Sequence, residues 1–244
     1  MNKNIYRCLY EQFNINDLDF SDNETEYNNI FNKESIDPEK IYSNILNNNP
    51  VSPDEIELLE QLVSAVKARD NNELQIIVKF YIKHYKKYSL NWLDVSGITD
   101  MSHLFFSSLT YKGDISKWDV SNVVNMQWMF SHANYNGDIS QWDVSKVKDM
   151  SFMFYDSAFD GELSQWDVSR VKDMSCMFKY SSFNQDISEW DVSNVENFNS
   201  MFEYTSFNQD ISGWNMKSAL FYDDMFNDCT INEEYMPKKV KHKK

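Results

Sequence analysis

The chain has 244 residues, a formal net charge of −15, 16% aromatic residues and seven tryptophans, but only five glycines and four prolines. This composition excludes collagen-like and glycine-rich linker classes and supplies enough large apolar side chains for a substantial core. Residues 91–236 carry 23 acidic against 8 basic residues, which argues against nucleic acid as a partner, because phosphate binding needs clustered Lys and Arg.

Residues 1–50 are asparagine-rich and acidic, and most of this stretch reads as irregular or disordered. Asp37-Pro38 resembles a helix N-cap and first helical position, with Ile41, Ile45 and Leu46 as an apolar side. The start of the chain lacks an apolar run of signal-peptide length, and no stretch approaches the ~18 apolar residues that span a bilayer. The expectation is a protein with no membrane span, in the cytoplasm. Cys8, Cys176 and Cys229 form neither a disulfide framework nor a zinc spacing.

Residues 51–90 predict a helical hairpin. Ser52-Pro53-Asp54-Glu55 is a capping box with proline at the first helical position, and Ile56, Leu59, Leu62, Val63 and Val66 follow at helical spacing. Asp70 to Glu73 offers a second capping box before the stripe Leu74, Ile77, Val78, Tyr81 and Tyr85. Such a pair would cap the open end of a repeat array, since terminal coils need a cover.

Residues 91–234 are governed by a repeat. Tryptophans recur at Trp118, Trp142, Trp166, Trp190 and Trp214, each step 24 residues, after a degenerate first copy at Trp92. A fixed period in this range predicts stacked coils. In the copy from Ile139 to Phe159, the spacing of Ile139, Trp142 and Val144 predicts a short parallel strand. Val147, Met150, Met153 and Phe154 then follow at helical spacing. Phe159 turns inward, and Gly161 is expected to let the chain swing into the next strand. Nine of the twelve methionines (101, 126, 129, 150, 153, 174, 177, 201 and 225) fall in repeat slots. That period assigns them to a shared interior, where each buried side chain contributes roughly 1.5–3 kcal/mol. The expected fold class is therefore an α/β solenoid of 24-residue coils with short parallel strands, preceded by an α-helical N-terminal cap. Residues 235–244 form a basic tail, expected to be solvated.

The phrase is clearest at Phe183-Asn-Gln-Asp-Ile-Ser-Glu-Trp190-Asp-Val-Ser-Asn-Val195, and a Met-x-x-Met-Phe element follows it in other copies. It resembles the repeat of BspA-like leucine-rich-repeat proteins, which also occurs in mycoplasma-type lipoproteins. The resemblance covers about residues 91–228. It implies leucine-rich-repeat-like coils, often at a cell surface and used for adhesion or protein contacts.

Two sets of residues are candidate sites. Asp119, Asp143, Asp167 and Asp191 follow successive tryptophans and should form an outward acidic column. Each carboxylate either bonds local backbone N–H groups at a turn, or the column takes a basic partner or loosely held cations. Ten residues after each tryptophan come Trp128, Phe152, Cys176, Ser200 and Asp224, expected to point outward, with Trp128 and Phe152 stacked. That pair is either an exposed contact site or covered by the N-terminal segment.

No nucleophile motif or phosphate loop occurs, and His84, His103, His132 and His242 lack metal spacing. The expectation is no catalytic residue, no cofactor and no dedicated metal site. The sequence points to a non-enzymatic module that binds a protein partner. The alternative is a surface-displayed adhesion or structural repeat protein.

Overall fold

The computed structural model describes Ser52, Asn71, Leu74, Gln75, Val78, Lys79, Ile82, residues 89–91 and residues 93–241. The chain divides into two compact units, Met1–Ala68 with Trp92–Asp94, and Arg69–Asn91 with Val95–Lys244. The second unit holds the repeats. The expected features at Ile41, Ile45 and Leu46, the first helix of the hairpin, and Cys8 lie outside the described residues.

Successive copies are joined by single parallel bridges. These run Asp100 to Asn125, Asn125 to Asp149, Asp149 to Asp173, Asp173 to Asn197 and Asn197 to Phe221. Around each bridge the backbone bonds follow one rule. The amides of Met150, Phe152, Phe154 and Asp156 donate forward to the carbonyls of Asp173, Ser175, Met177 and Lys179 at 2.8–3.0 Å. The intervening amides of Met153 and Tyr155 fold back on Met150 and Phe152, both at 3.2 Å. Alternate amides thus serve the neighbouring copy and the local turn.

Two expectations are corrected by this pattern. The segment from Ile139 to Val144 is not a strand: the Trp142 amide donates to the Ile139 carbonyl at 3.2 Å and closes a turn. The bridge falls instead at Asp149. The run from Val147 through Phe154 is a chain of turns, not a helix. A helix is about 10 Å wide, whereas chains paired by backbone bonds lie about 4.8 Å apart. A segment bonded to a copy on each side has no room to coil. Its apolar residues keep the spacing of three and four because turns also bring such positions to one side.

The turns require left-handed backbone at every fourth residue of this segment. Trp128 and His132, Phe152 and Asp156, Cys176 and Tyr180, and Ser200 and Tyr204 all have φ between 48° and 61°. None of these is glycine, although each L residue there is disfavoured by about 1–2 kcal/mol. Gly161, by contrast, has no positive φ, so the expected swing is not its role. A Cβ at that position would lie 2.7 Å from Cζ of Phe159; the glycine makes room for the ring.

The interior is built of repeated rings and thioethers. Phe105, Phe130, Phe154, Phe178, Phe202 and Phe226 stack in sequence with centroids 5.2–5.7 Å apart. Phe159, Phe183 and Phe207 pack on this row at 4.1–4.5 Å. Trp118, Trp142, Trp166, Trp190 and Trp214 are all 5% exposed or less. Each indole N–H donates to a carbonyl of the preceding copy, Leu90, Ile115, Ile139, Leu163 and Ile187 respectively. The polar end of each buried indole is therefore satisfied between copies.

Asn71, Leu74, Gln75, Val78, Lys79 and Ile82 are helical. Leu74 and Val78 are fully buried, and Gln75 Nε2 donates to the Ser102 carbonyl at 3.1 Å. At the other end come a 3-10 turn, Glu233–Tyr235, and a short helix, Lys238–Lys241. This segment is not the solvated tail expected. Pro237 is buried, and Lys239 Nζ donates to the carbonyls of Met216 and Ala219 at 3.0 and 2.6 Å. No helix among the described residues is long and apolar enough to cross a membrane.

Candidate interaction surface

The acidic column is placed as the local-turn reading expects. Asp119, Asp143, Asp167 and Asp191 are exposed. In each, Oδ1 accepts the amide N–H of the serine two residues on (Ser121, Ser145, Ser169, Ser193) at 3.0 Å. Bonds from Ser145 and Ser193, side chain before backbone, hold the Asp143 and Asp191 carboxyls below the usual carboxylate range. Similar turns recur at Asp138 and Asp210, so this carboxylate pattern is first of all a device for closing turns. Among the described residues no group of three or more His, Cys, Asp or Glu is arranged to hold a metal ion.

Trp128 and Phe152 stack face to face, centroids 4.1 Å apart and planes 5° from parallel. Both are half-buried. Their left-handed backbone, rather than the far side of a helix, carries the side chains to one side of the turn segment. The other members of that column, Cys176 and Ser200, are half-buried, and Asp224 is exposed.

The pair belongs to a larger surface. His103 covers the second face of Trp128 at 5.9 Å and 5°. Phe106 meets Trp128 and His132 edge-on at 6.0 and 5.7 Å. Tyr155 touches Trp128, Phe152 and His132 and leads to Tyr180 at 5.7 Å, which stacks on Tyr204 at 4.9 Å and 8°. The rings thus run on without a break from Phe106 to Tyr204. Phe106, Tyr180 and Tyr204 are 44, 45 and 45% exposed.

Six of these eight residues were missed by reading a single column of the repeat. The second left-handed position, four residues on, finds three of them: His132, Tyr180 and Tyr204 stand with Asp156 in a column parallel to that of Trp128, Phe152, Cys176 and Ser200, to which His103 also belongs. Among the described residues, no ring contact or hydrogen bond joins this surface to Asp119, Asp143, Asp167 or Asp191.

The geometry limits what can bind. In the stacked pairs each ring covers one face of its neighbour. A ring edge carries the positive end of the quadrupole, and suits protein groups such as carbonyls, carboxylates, aliphatic side chains or other rings.

A family model described as "Mycoplasma protein of unknown function, DUF285" matches the chain twice, over residues 78–182 and 134–238, together more than half its length. No curated protein and no solved structure matches it.

Proposed function

Because the chain belongs to this Mycoplasma repeat family of unknown function, DUF285, we propose that it is a repeat solenoid acting as a non-enzymatic protein–protein interaction module. Contact is made through the aromatic surface from Phe106 to Tyr204. The observation that carries this reading is a row of contiguous rings with several members more than two-fifths exposed. Exposed apolar patches of this kind mark contact sites, and aromatic residues are the usual anchors of protein interfaces. The acidic column contributes a charge field that favours basic partners over the longer range.

We also read the coils as leucine-rich-repeat-like, in keeping with the BspA-like resemblance. The 24-residue period and the parallel bridges support this, although the L-x-x-L-x-L segment closes turns here. The helical residues Asn71, Leu74, Gln75, Val78, Lys79 and Ile82 fit a cap on the first coil, a reading supported by the Gln75 bond to Ser102.

A photo-crosslinking amino acid placed at Tyr180, with the same group at the exposed residue Lys146 as control, tests the interaction role in host extract. The expected result is a discrete adduct from position 180 that disappears when Phe106 and Tyr204 are both replaced by serine. Equal labelling from both positions, or an adduct indifferent to the serine substitutions, would contradict it.

A further inference from the structure

Along the turn segment the ladder between copies has a direction: each copy offers amide donors to the copy after it and carbonyl acceptors to the copy before it. Just before each bridge, by contrast, the amides of Lys148, Lys172, Glu196 and Leu220 donate back to Val124, Lys148, Lys172 and Glu196. At the start of the repeats the Ser102 carbonyl is taken by Gln75. At the far end nothing among the described residues corresponds for the turn segment. Phe198, Ser200, Phe202 and Tyr204 donate to Phe221, Asp223, Met225 and Asn227. Of the donors that would continue the series, the amides of Asp224, Phe226 and Asp228 meet no acceptor among the described residues.

The C-terminal segment covers only part of this end. The Tyr235 carbonyl accepts from Ile211, Asn232 donates to Asn208 Oδ1, and Lys239 reaches Met216, Ala219 and the ring of Tyr222. Beside the open amides, Leu220 and Phe221 are 67% and 53% exposed. Phe221 stands where every earlier bridge has Asp or Asn. Asp223, Asp224 and Asp228 are exposed around them.

We propose that this edge is a docking site for an extended, basic segment of a different protein, which adds itself to the last coil. Its alternate backbone carbonyls would accept from Asp224, Phe226 and Asp228, as in strand addition to a sheet edge. An apolar side chain would cover Leu220 and Phe221, and lysine or arginine would face the three aspartates. Hydrogen-bond polarity and charge select this occupant. A second copy meeting the same edge symmetrically would set donors against donors and aspartates against aspartates. A second copy added head to tail would need the Ser102 carbonyl, which Gln75 holds. The site adjoins the aromatic surface, where Tyr204 bonds the Asp228 side chain, but it is read at three backbone amides and so is tested independently of that surface's role.

The test uses the full chain and a short peptide alternating lysine and valine, with a glutamate–valine peptide as control. Amide exchange is followed by NMR. The expected result is binding that slows exchange at Asp224, Phe226 and Asp228, with affinity reduced about tenfold or more for the glutamate peptide and for the variant Asp223→Lys/Asp224→Lys/Asp228→Lys. Binding that leaves those three amides unprotected would reduce the effect to general attraction for an acidic protein and overturn the proposal. So would absence of binding, or protection of the same amides by self-association without peptide. The exchange readout on the unaltered chain holds even if the triple variant fails to fold.

Discussion

The indole N–H of Trp166 donates to the carbonyl of Ile139, 27 residues earlier in the chain, at 3.1 Å. Both residues are buried, so this bond ties one copy to the copy before it inside the apolar interior. Replacing Trp166 by phenylalanine keeps a ring but leaves the Ile139 carbonyl with the Trp142 amide alone as donor and opens a void beside it. The expected loss is about 1.5–3 kcal/mol, from one lost hydrogen bond and lost packing, measured by urea denaturation.

Glycine substitutions separate space from backbone freedom. Gly161→Ala brings a Cβ to 2.7 Å from Phe159, whose ring is fixed against Phe154 at 4.5 Å. It should destabilise by roughly 1–3 kcal/mol, as overpacking does. Gly213→Ala meets nothing within 4 Å and needs no positive φ. It should be neutral or stabilise by about 0.5–1 kcal/mol through the unfolded chain. Thermal melts of the two variants should move in opposite directions, or the second not at all.

The repeat was legible in the sequence because its period is written in large residues: Trp142, Met150, Met153 and Phe154 recur and are buried where the spacing puts them. The local backbone was not legible. A spacing of three and four serves a helix and a run of turns equally, and what separates them is the distance to the next copy, a tertiary quantity. The acidic column illustrates the same limit. Asp143 followed by Ser145 reads as a turn, and the turn is there. Phe106 and Tyr180 were invisible as members of one surface because they occupy different slots of their copies.

Ser107 sits at φ 55° and is exposed. Glycine there should be neutral or stabilise by up to about 1 kcal/mol, since relief of left-handed strain offsets the entropy of glycine. Valine, which is β-branched, should cost about 1–2 kcal/mol or more. The contrast between the two melts tests the left-handed register itself.

The turn carboxylates set an acid limit. Ser145 and Ser193 hold Asp143 and Asp191 below their ordinary value of 3.8, and the Ser140 and Ser212 backbone bonds do the same for Asp138 and Asp210. A carboxyl whose folded pKa is depressed contributes stability above its unfolded value and loses it as pH falls through the folded one. Stability should therefore be insensitive to these groups near neutrality and decline below about pH 4. Asp143→Asn/Asp191→Asn keeps an acceptor in each turn and should flatten that decline in melts recorded across the acid range.

The shared interior is tested most directly by the five indole N–H groups in an NMR spectrum of the intact chain. Slow exchange of Trp142, Trp166 and Trp190, with through-space signals from each indole proton to the residues around Ile115, Ile139 and Leu163, is the predicted result. Exchange at the rate of free indole, or signals confined to each tryptophan's own copy, would contradict it.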